Sequence, residues 1–174
     1  VLEVGPGPGV FQATANALGL SVETLDIDPE LKPDHVSSVL TMPFGDDDFD
    51  VVCAFQVLEH FPYEESLTAV AEMKRVASEA VIVSLPDASR AWPQAVTVPK
   101  VGTVNFFVPR PRLRSQEHHF DGEHYWELNK PGYSLKRVIT DFKHYGGMEL
   151  AKTFRTPENG YQRFFVFKLN QIGR

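Results

Sequence analysis

Apolar positions in the first half of the chain fall into two kinds of run. Val1 to Val4, Val22 to Ile27, His35 to Leu40, Phe49 to Phe55 and Ala80 to Leu85 are short runs that read as strands. The fourth is apolar almost without interruption, the pattern of a parallel-sheet strand covered on both faces. Between them Phe11, Ala15 and Leu18 recur at spacings of four and three, and Leu67, Val70, Met73 and Val76 recur every three residues. Those spacings predict one helix ending near Gly19 and another from about Glu64 to Ala77. Strand, glycine loop, helix and strand make a βαβ unit, and the continued alternation predicts an α/β domain. From Pro86 to Pro131 the periodicity is lost and prolines recur at 93, 99, 109 and 111, which predicts a long, lid-like excursion at about 86–131. Order resumes with a helix from about Ser134 to Tyr145, a stop at Gly146-Gly147, and strands at Met148 to Phe154 and Arg163 to Leu169. The turn signal Pro157-Glu158-Asn159-Gly160 makes those last strands an antiparallel pair.

With 174 residues, 43% of them hydrophobic, the chain is sized for one core, so residues 1–174 are expected to be a single domain. A buried strand at Val1 is an abrupt beginning; residues upstream, or another segment covering that strand, are expected. The formal charge of −6 gives no overall attraction to nucleic acid or to an anionic membrane, and the local basic group is Arg110, Arg112 and Arg114. No nucleic-acid or membrane partner is expected. The single Cys53 excludes an intrachain disulfide and suits a reducing, cytoplasmic compartment. No apolar run approaches the roughly 18 to 20 residues of a membrane span. Nothing in the chain speaks to its oligomeric state.

Gly5-Pro6-Gly7-Pro8-Gly9 between a buried strand and a helix lets a ligand approach the backbone closely, because glycine has no side chain and tolerates positive φ. Asp26 closes the second strand 19 residues after Gly7, where a carboxylate can accept both hydroxyls of a ribose. A nucleoside ligand is implied. A dinucleotide fingerprint would place a small residue at position 10; Val10 there disfavours an NAD-dependent oxidoreductase, which stays as an alternative. Asp46, Asp47 and Asp48 read as a solvated turn. His118, His119 and His124, with Glu117, Asp121 and Glu123, offer candidate bases or acceptor contacts, but their spacing matches no zinc pattern, and no metal site is assigned. Tyr125 and Trp126 are expected to fold back over the site as apolar walls.

Glu3-Val4-Gly5-Pro6-Gly7-Pro8-Gly9 resembles the first motif of the class I S-adenosylmethionine-dependent methyltransferases, of the type 11-like kind. Leu25-Asp26-Ile27-Asp28-Pro29 resembles their second motif. Pro43-Phe44, Phe49-Asp50-Val51-Val52 and Leu58-Glu59-His60-Phe61 resemble the stretch around their fourth strand. The likeness covers residues 1 to about 85. It implies a doubly wound, Rossmann-like, mostly parallel seven-stranded sheet of order 3-2-1-4-5-7-6 with an antiparallel strand, and S-adenosyl-L-methionine as cofactor. Carried over by position, it implies Asp26 on the ribose diol, Ile27 against the adenine, the backbone of Gly5, Pro6 and Gly7 beside the methionyl part, Glu3 near the methionyl ammonium, and Phe55 and Gln56 facing the methionyl end. Relatives often hold the adenine amino group with an Asp near the end of the third strand; Ser38 stands there, so Ser38 or the backbone at Val39 or Leu40 is expected to serve. His60 is the candidate catalytic base. The acceptor is expected to be a small metabolite or glycan-type molecule, with Arg110, Arg112 and Arg114 available to an anionic one. A non-catalytic module that keeps the cofactor is the other alternative.

Overall fold

A computed structural model describes residues 1–89, 91–111 and 118–169. Seven strands form one sheet: β1 (Leu2–Val4), β2 (Glu23–Asp26), β3 (His35–Val36), β4 (Phe49–Phe55), β5 (Ala77–Pro86), β8 (Met148–Arg155) and β9 (Gln162–Leu169). Their order is β3-β2-β1-β4-β5-β9-β8, with β9 antiparallel to both neighbours and the other pairings parallel. With the two strands of a separate hairpin left out of the count, this is the expected order 3-2-1-4-5-7-6.

Three helices, α1 (Val10–Ala17), α2 (Tyr63–Val76) and α3 (Leu135–Gly146), complete the α/β alternation. The register pairs Leu2 with Val52 and Val4 with Ala54, so these side chains share a face. With Leu67, Val70 and Met73 of α2, Val138 and Phe142 of α3, and Phe165 and Phe167 of β9 they make one buried core. Its cause is the period: α2 and α3 turn one apolar stripe to the sheet and leave charged residues outside. Ser134 caps α3 by accepting from the Arg137 backbone N–H at 3.2 Å, and Gly147 ends it in the left-handed conformation.

On the other face α1 meets the sheet through Phe11, whose ring is edge-on to Phe55 at 5.1 Å. Ala15 is the buried residue of α1, whereas Leu18 is 79% exposed, so the stripe of Phe11, Ala15 and Leu18 is only partly used. The two-sided cover expected for the central strands is therefore unequal among the described residues: Val52, Cys53 and Ala54 are buried, and Phe49, Val51 and Phe55 are only partly buried. Burial pushes the Cys53 thiol up to about 12, with the nearby Glu3 carboxylate adding to the effect, which makes it a core residue without nucleophilic use.

Three local expectations change. The third strand is only His35–Val36, because the chain turns at Ser37 to Leu40; the Ser38 hydroxyl accepts from the Leu40 N–H at 3.2 Å. The excursion is not irregular throughout. Residues 91–109 form an antiparallel hairpin, β6 (Ala91–Val98) and β7 (Gly102–Pro109). Its prolines stand at a strand end and at a position of a two-stranded ribbon that needs no donor on its open side, so they do not prevent pairing. Trp126 and Leu128 are fully buried, and Trp126 packs edge-on against Tyr63 at 4.9 Å and beside Tyr133 and Phe142. Trp126 therefore belongs to the core and is no wall of the site.

The two ends of the excursion are pinned by Asp87. Its carboxylate accepts from Arg163 Nε at 2.7 Å, Asn129 Nδ2 at 2.8 Å and the Ser89 backbone N–H at 2.8 Å. Burial alone would raise its pKa; the bonds from Ser89, Arg163 and Asn129 outweigh that and hold it below the usual carboxylate range. Arg112, Arg114 and Glu117 lie outside the described residues. Arg110 stacks over the Trp92 ring at 4.9 Å. No described helix is long and apolar enough to cross a membrane.

Candidate functional site

The strands β1, β2 and β4 end at the same edge of the sheet, and the segments that follow them surround a crevice of about 300 Å³. Its lining includes Gly5 and Gly7 after β1, Asp26 and Ile27 at the end of β2, Ser37 to Val39 after β3, and Gln56, Val57, His60 and Phe61 after β4. Strand order reverses between β1 and β4, and such a switch point opens a crevice because the connections on either side leave on opposite faces.

The loop after β1 needs its glycines for two separate reasons. Gly5, Gly7 and Gly9 all have positive φ, at 66°, 52° and 73°. A Cβ on Gly5 would also lie 2.6 Å from Val57 Cγ2, so this position permits neither side chain nor backbone change. At Gly7 and Gly9 a Cβ would meet open space. Backbone there is left bare toward the crevice and its rim. Gln56 is likewise left-handed at φ 57°, an uncommon state for a residue with a side chain, and its N–H is held by the Ser84 carbonyl at 3.1 Å.

Asp26 accepts the Asp28 backbone N–H on Oδ1 at 2.9 Å, which fixes the carboxylate at the crevice edge. Ile27 is 73% exposed beside it and gives the crevice an apolar side. Glu3, in the strand before the glycine loop, is buried with its Oε2 lacking any hydrogen-bond partner. Burial raises its pKa to about 7. A buried oxygen without a donor is costly, and it fits a cationic or N–H group brought in by a ligand.

Of the positions singled out in the sequence, Gly5, Gly7, Asp26, Ile27, Ser38, Val39, Gln56 and His60 line the crevice. Glu3, Pro6 and Phe55 stand beside it in the same strands and loop without contributing to the lining. Phe55 instead packs between Phe11 and Phe164. Val4, Leu25, Ser37, Val57 and Phe61 line it without having been singled out. Val57 and Phe61 carry apolar walls whose only signal in the chain is adjacency to Gln56 and His60. None of the described residues of 86–131 is in this lining.

The excursion reaches the site indirectly. His60 Nδ1 lies 2.9 Å from the Glu123 carbonyl, and the Tyr125 N–H donates to the Glu59 carbonyl at 2.8 Å. These two bonds hold residues 123–125 against the turn Leu58–His60 and bring the His124 ring 5.2 Å from that of His60. His118 anchors the same loop through the His124 carbonyl at 2.9 Å, and His119 is exposed. Glu59 is buried, and neither carboxylate oxygen has a partner in another residue. Burial raises its pKa to about 8 against the lowering effect of its own backbone N–H, with a smaller upward contribution from Glu127. Asp46 pairs with Arg75 at 3.0 Å and Asp48 accepts from the Gly45 N–H, so both serve their own turn.

Residues 2–85 match the family model described as a methyltransferase domain. No curated protein matches the sequence. Solved structures share the fold at low identity. A methyltransferase from Mesorhizobium loti, described as S-adenosylmethionine dependent, is 14% identical, with 96% of this chain and 89% of that one covered and a TM-score of 0.63. The magnesium protoporphyrin IX methyltransferase of Synechocystis, solved with S-adenosylmethionine bound, is 15% identical, with 97% and 69% covered and a TM-score of 0.61. The 1,6-didemethyltoxoflavin N1-methyltransferase of Burkholderia thailandensis is 11% identical, with 97% and 69% covered and a TM-score of 0.61.

Proposed function

We propose that this chain is an S-adenosylmethionine-dependent methyltransferase, a reading supported by the match of residues 2–85 to the methyltransferase-domain model, that its acceptor is a small metabolite or glycan-type molecule, and that the crevice after β1, β2 and β4 holds the cofactor. The observation that carries the placement is the convergence of bare glycine backbone and the Asp26 carboxylate at one edge of the sheet, with the orphaned Glu3 oxygen in the strand that leads into the glycine loop. S-adenosylmethionine supplies a methyl group already activated by its sulfonium, so the residues need to bind, orient and exclude water.

In this reading Asp26 accepts from the ribose hydroxyls with the carboxylate that Asp28 orients. Ile27 and Val39 enclose the adenine, and Ser38, whose hydroxyl oxygen is engaged by Leu40, leaves its O–H to donate. Glu3 meets the methionyl ammonium. The backbone from Gly5 to Gly7, with Pro6 stiffening the turn, follows the methionyl chain, and Phe55 and Gln56 close its far end. An acceptor hydroxyl requires its proton to be taken or its pKa lowered, and His60 is the crevice residue with the chemistry for either. The local basic group is too small to hold a nucleic acid backbone, which supports a small acceptor.

Calorimetry on the purified chain tests the reading. S-adenosylmethionine and S-adenosylhomocysteine are expected to bind and NAD is not. Unchanged affinity in Asp26→Ala would remove the ribose from this crevice.

A further inference from the structure

The turn after β4 and the returning excursion bring Glu59 and His124, which the methyl-transfer chemistry leaves without work, up to His60. Ligand atoms of Glu59, His60 and His124 all lie within 4.8 Å of one another. Glu59 is completely buried, neither of its oxygens has a hydrogen-bond partner in another residue, and one of them lies within 4.8 Å of a nitrogen of each imidazole. An unpaired buried carboxylate is among the costlier features a fold can carry, and it persists where a cation compensates it.

The second contacts of the two histidines have the form that ligation requires. A carbonyl has no proton to give, so His60 Nδ1 donates to Glu123, the arrangement that in the neutral ring leaves the lone pair on Nε2. His124 Nδ1 lies 3.4 Å from Glu127 Oε1, and Glu127 is itself fixed by the Tyr161 hydroxyl at 2.9 Å. A metal-bound imidazole characteristically passes its other N–H to a carbonyl or a carboxylate, which sets the tautomer and the ring plane. A neighbouring set, Asp121, His124 and Glu127, is also close enough to share an ion. One oxygen of each of its carboxylates is already in use: Asp121 Oδ1 accepts the N–H groups of Glu123 and His124, and Glu127 Oε1 serves Tyr161 and His124.

We propose that Glu59, His60 and His124 bind a first-row divalent cation at the edge of the crevice. Two nitrogens and one carboxylate oxygen suit zinc, manganese, iron or cobalt better than magnesium or calcium, which favour all-oxygen shells. Three protein ligands leave a coordination position open. Since His60 also lines the crevice, an oxygen of the acceptor is the donor that would complete the shell, a step that rests on the methyl-transfer reading. Ligation uses the lone pair that a proton-accepting His60 would need, so His60 then serves as a ligand and not as a base.

The test is metal binding by the chelator-stripped chain with no nucleoside or acceptor present. Zinc is titrated by calorimetry, cobalt by its visible absorption, and magnesium serves as comparison. One equivalent of zinc is expected, with cobalt giving a tetrahedral or five-coordinate spectrum. Glu59→Gln and His124→Ala are each expected to lose at least tenfold in zinc affinity, and Glu127→Gln about tenfold through its effect on the His124 ring. Thermal melts of the stripped variants confirm that each is folded, and S-adenosylhomocysteine binding, measured separately without metal, keeps the cofactor reading apart. Absence of zinc binding in the folded parent chain, or equal affinity in Glu59→Gln and His124→Ala, would overturn the proposal.

Discussion

Two connections in this molecule lack helical or strand periodicity, the loop from Gly5 to Gly9 after β1 and the excursion from Asp87 to Ser134 after β5, and they are built on opposite principles. The first is five residues of backbone, held by positive φ and left open to a ligand. The second contains a hairpin with Trp92, Val96, Val104 and Phe106 each nearly half exposed, and then a strap that sends Trp126 and Leu128 into the core. The glycine loop is therefore constrained by conformation, whereas the described part of the excursion is held by burial of Trp126 and Leu128 and by the bonds to Asp87. Irregular sequence says little about which of the two a segment is.

Trp126→Ala gives the sharpest separation between them. Removing a fully buried indole is expected to cost about 3–5 kcal/mol, seen as a fall in denaturant midpoint. If the strap were only a cover, the midpoint would stay. Asp26→Ala should leave that midpoint in place and weaken S-adenosylhomocysteine about 100-fold by calorimetry, roughly 2.7 kcal/mol. Gly5→Ala joins both effects: positive φ and the Val57 contact are expected to cost about 1–3 kcal/mol of stability, and the loop's affinity for the nucleoside falls with it.

Smaller effects sharpen the contrast further. Glu3 has a folded pKa near 7, above its ordinary value of 4.5, so the protonated form is favoured by folding. Its contribution to stability is complete below about pH 4.5 and is lost as pH rises through 7. Glu3→Gln should therefore melt higher than the parent at pH 8 and with little difference at pH 4.5; identical melting profiles across that window would remove the burial argument. On the hairpin, Val104→Thr and Phe106→Ser are expected to change stability by no more than about 0.5 kcal/mol each, because both side chains already meet solvent.

Much of the fold was legible because its signals are local. The apolar run Phe49 to Phe55 is the observed β4 to the residue, and the three-residue recurrence from Leu67 to Val76 gives α2 within a residue or two. Asp26 and the glycines could be placed at one end of the sheet because parallel strands deliver their successors to the same edge. The hairpin at 91–109 escaped because half-exposed strands carry no strict alternation, and Pro93 and Pro109 look like breaks. His124 could be singled out among the histidines of the excursion, but nothing local tied it to Glu59 and His60, 64 residues away from the latter.

The sequence by itself determined the strands and helices outside the excursion, the glycine loop with Asp26 at the end of the second strand, and the likeness of residues 2–85 to a methyltransferase domain. These depend on residue type and short-range spacing, which steric and hydrogen-bonding rules read directly. Only the tertiary structure decided that Trp126 is core, that Asp87 gathers Arg163, Asn129 and Ser89, and that Glu59 comes within 4.8 Å of two imidazole nitrogens with no hydrogen-bond partner in another residue. Each of those is a contact between segments distant along the chain, and its energy comes from burial, which no residue possesses until its neighbours have been brought around it.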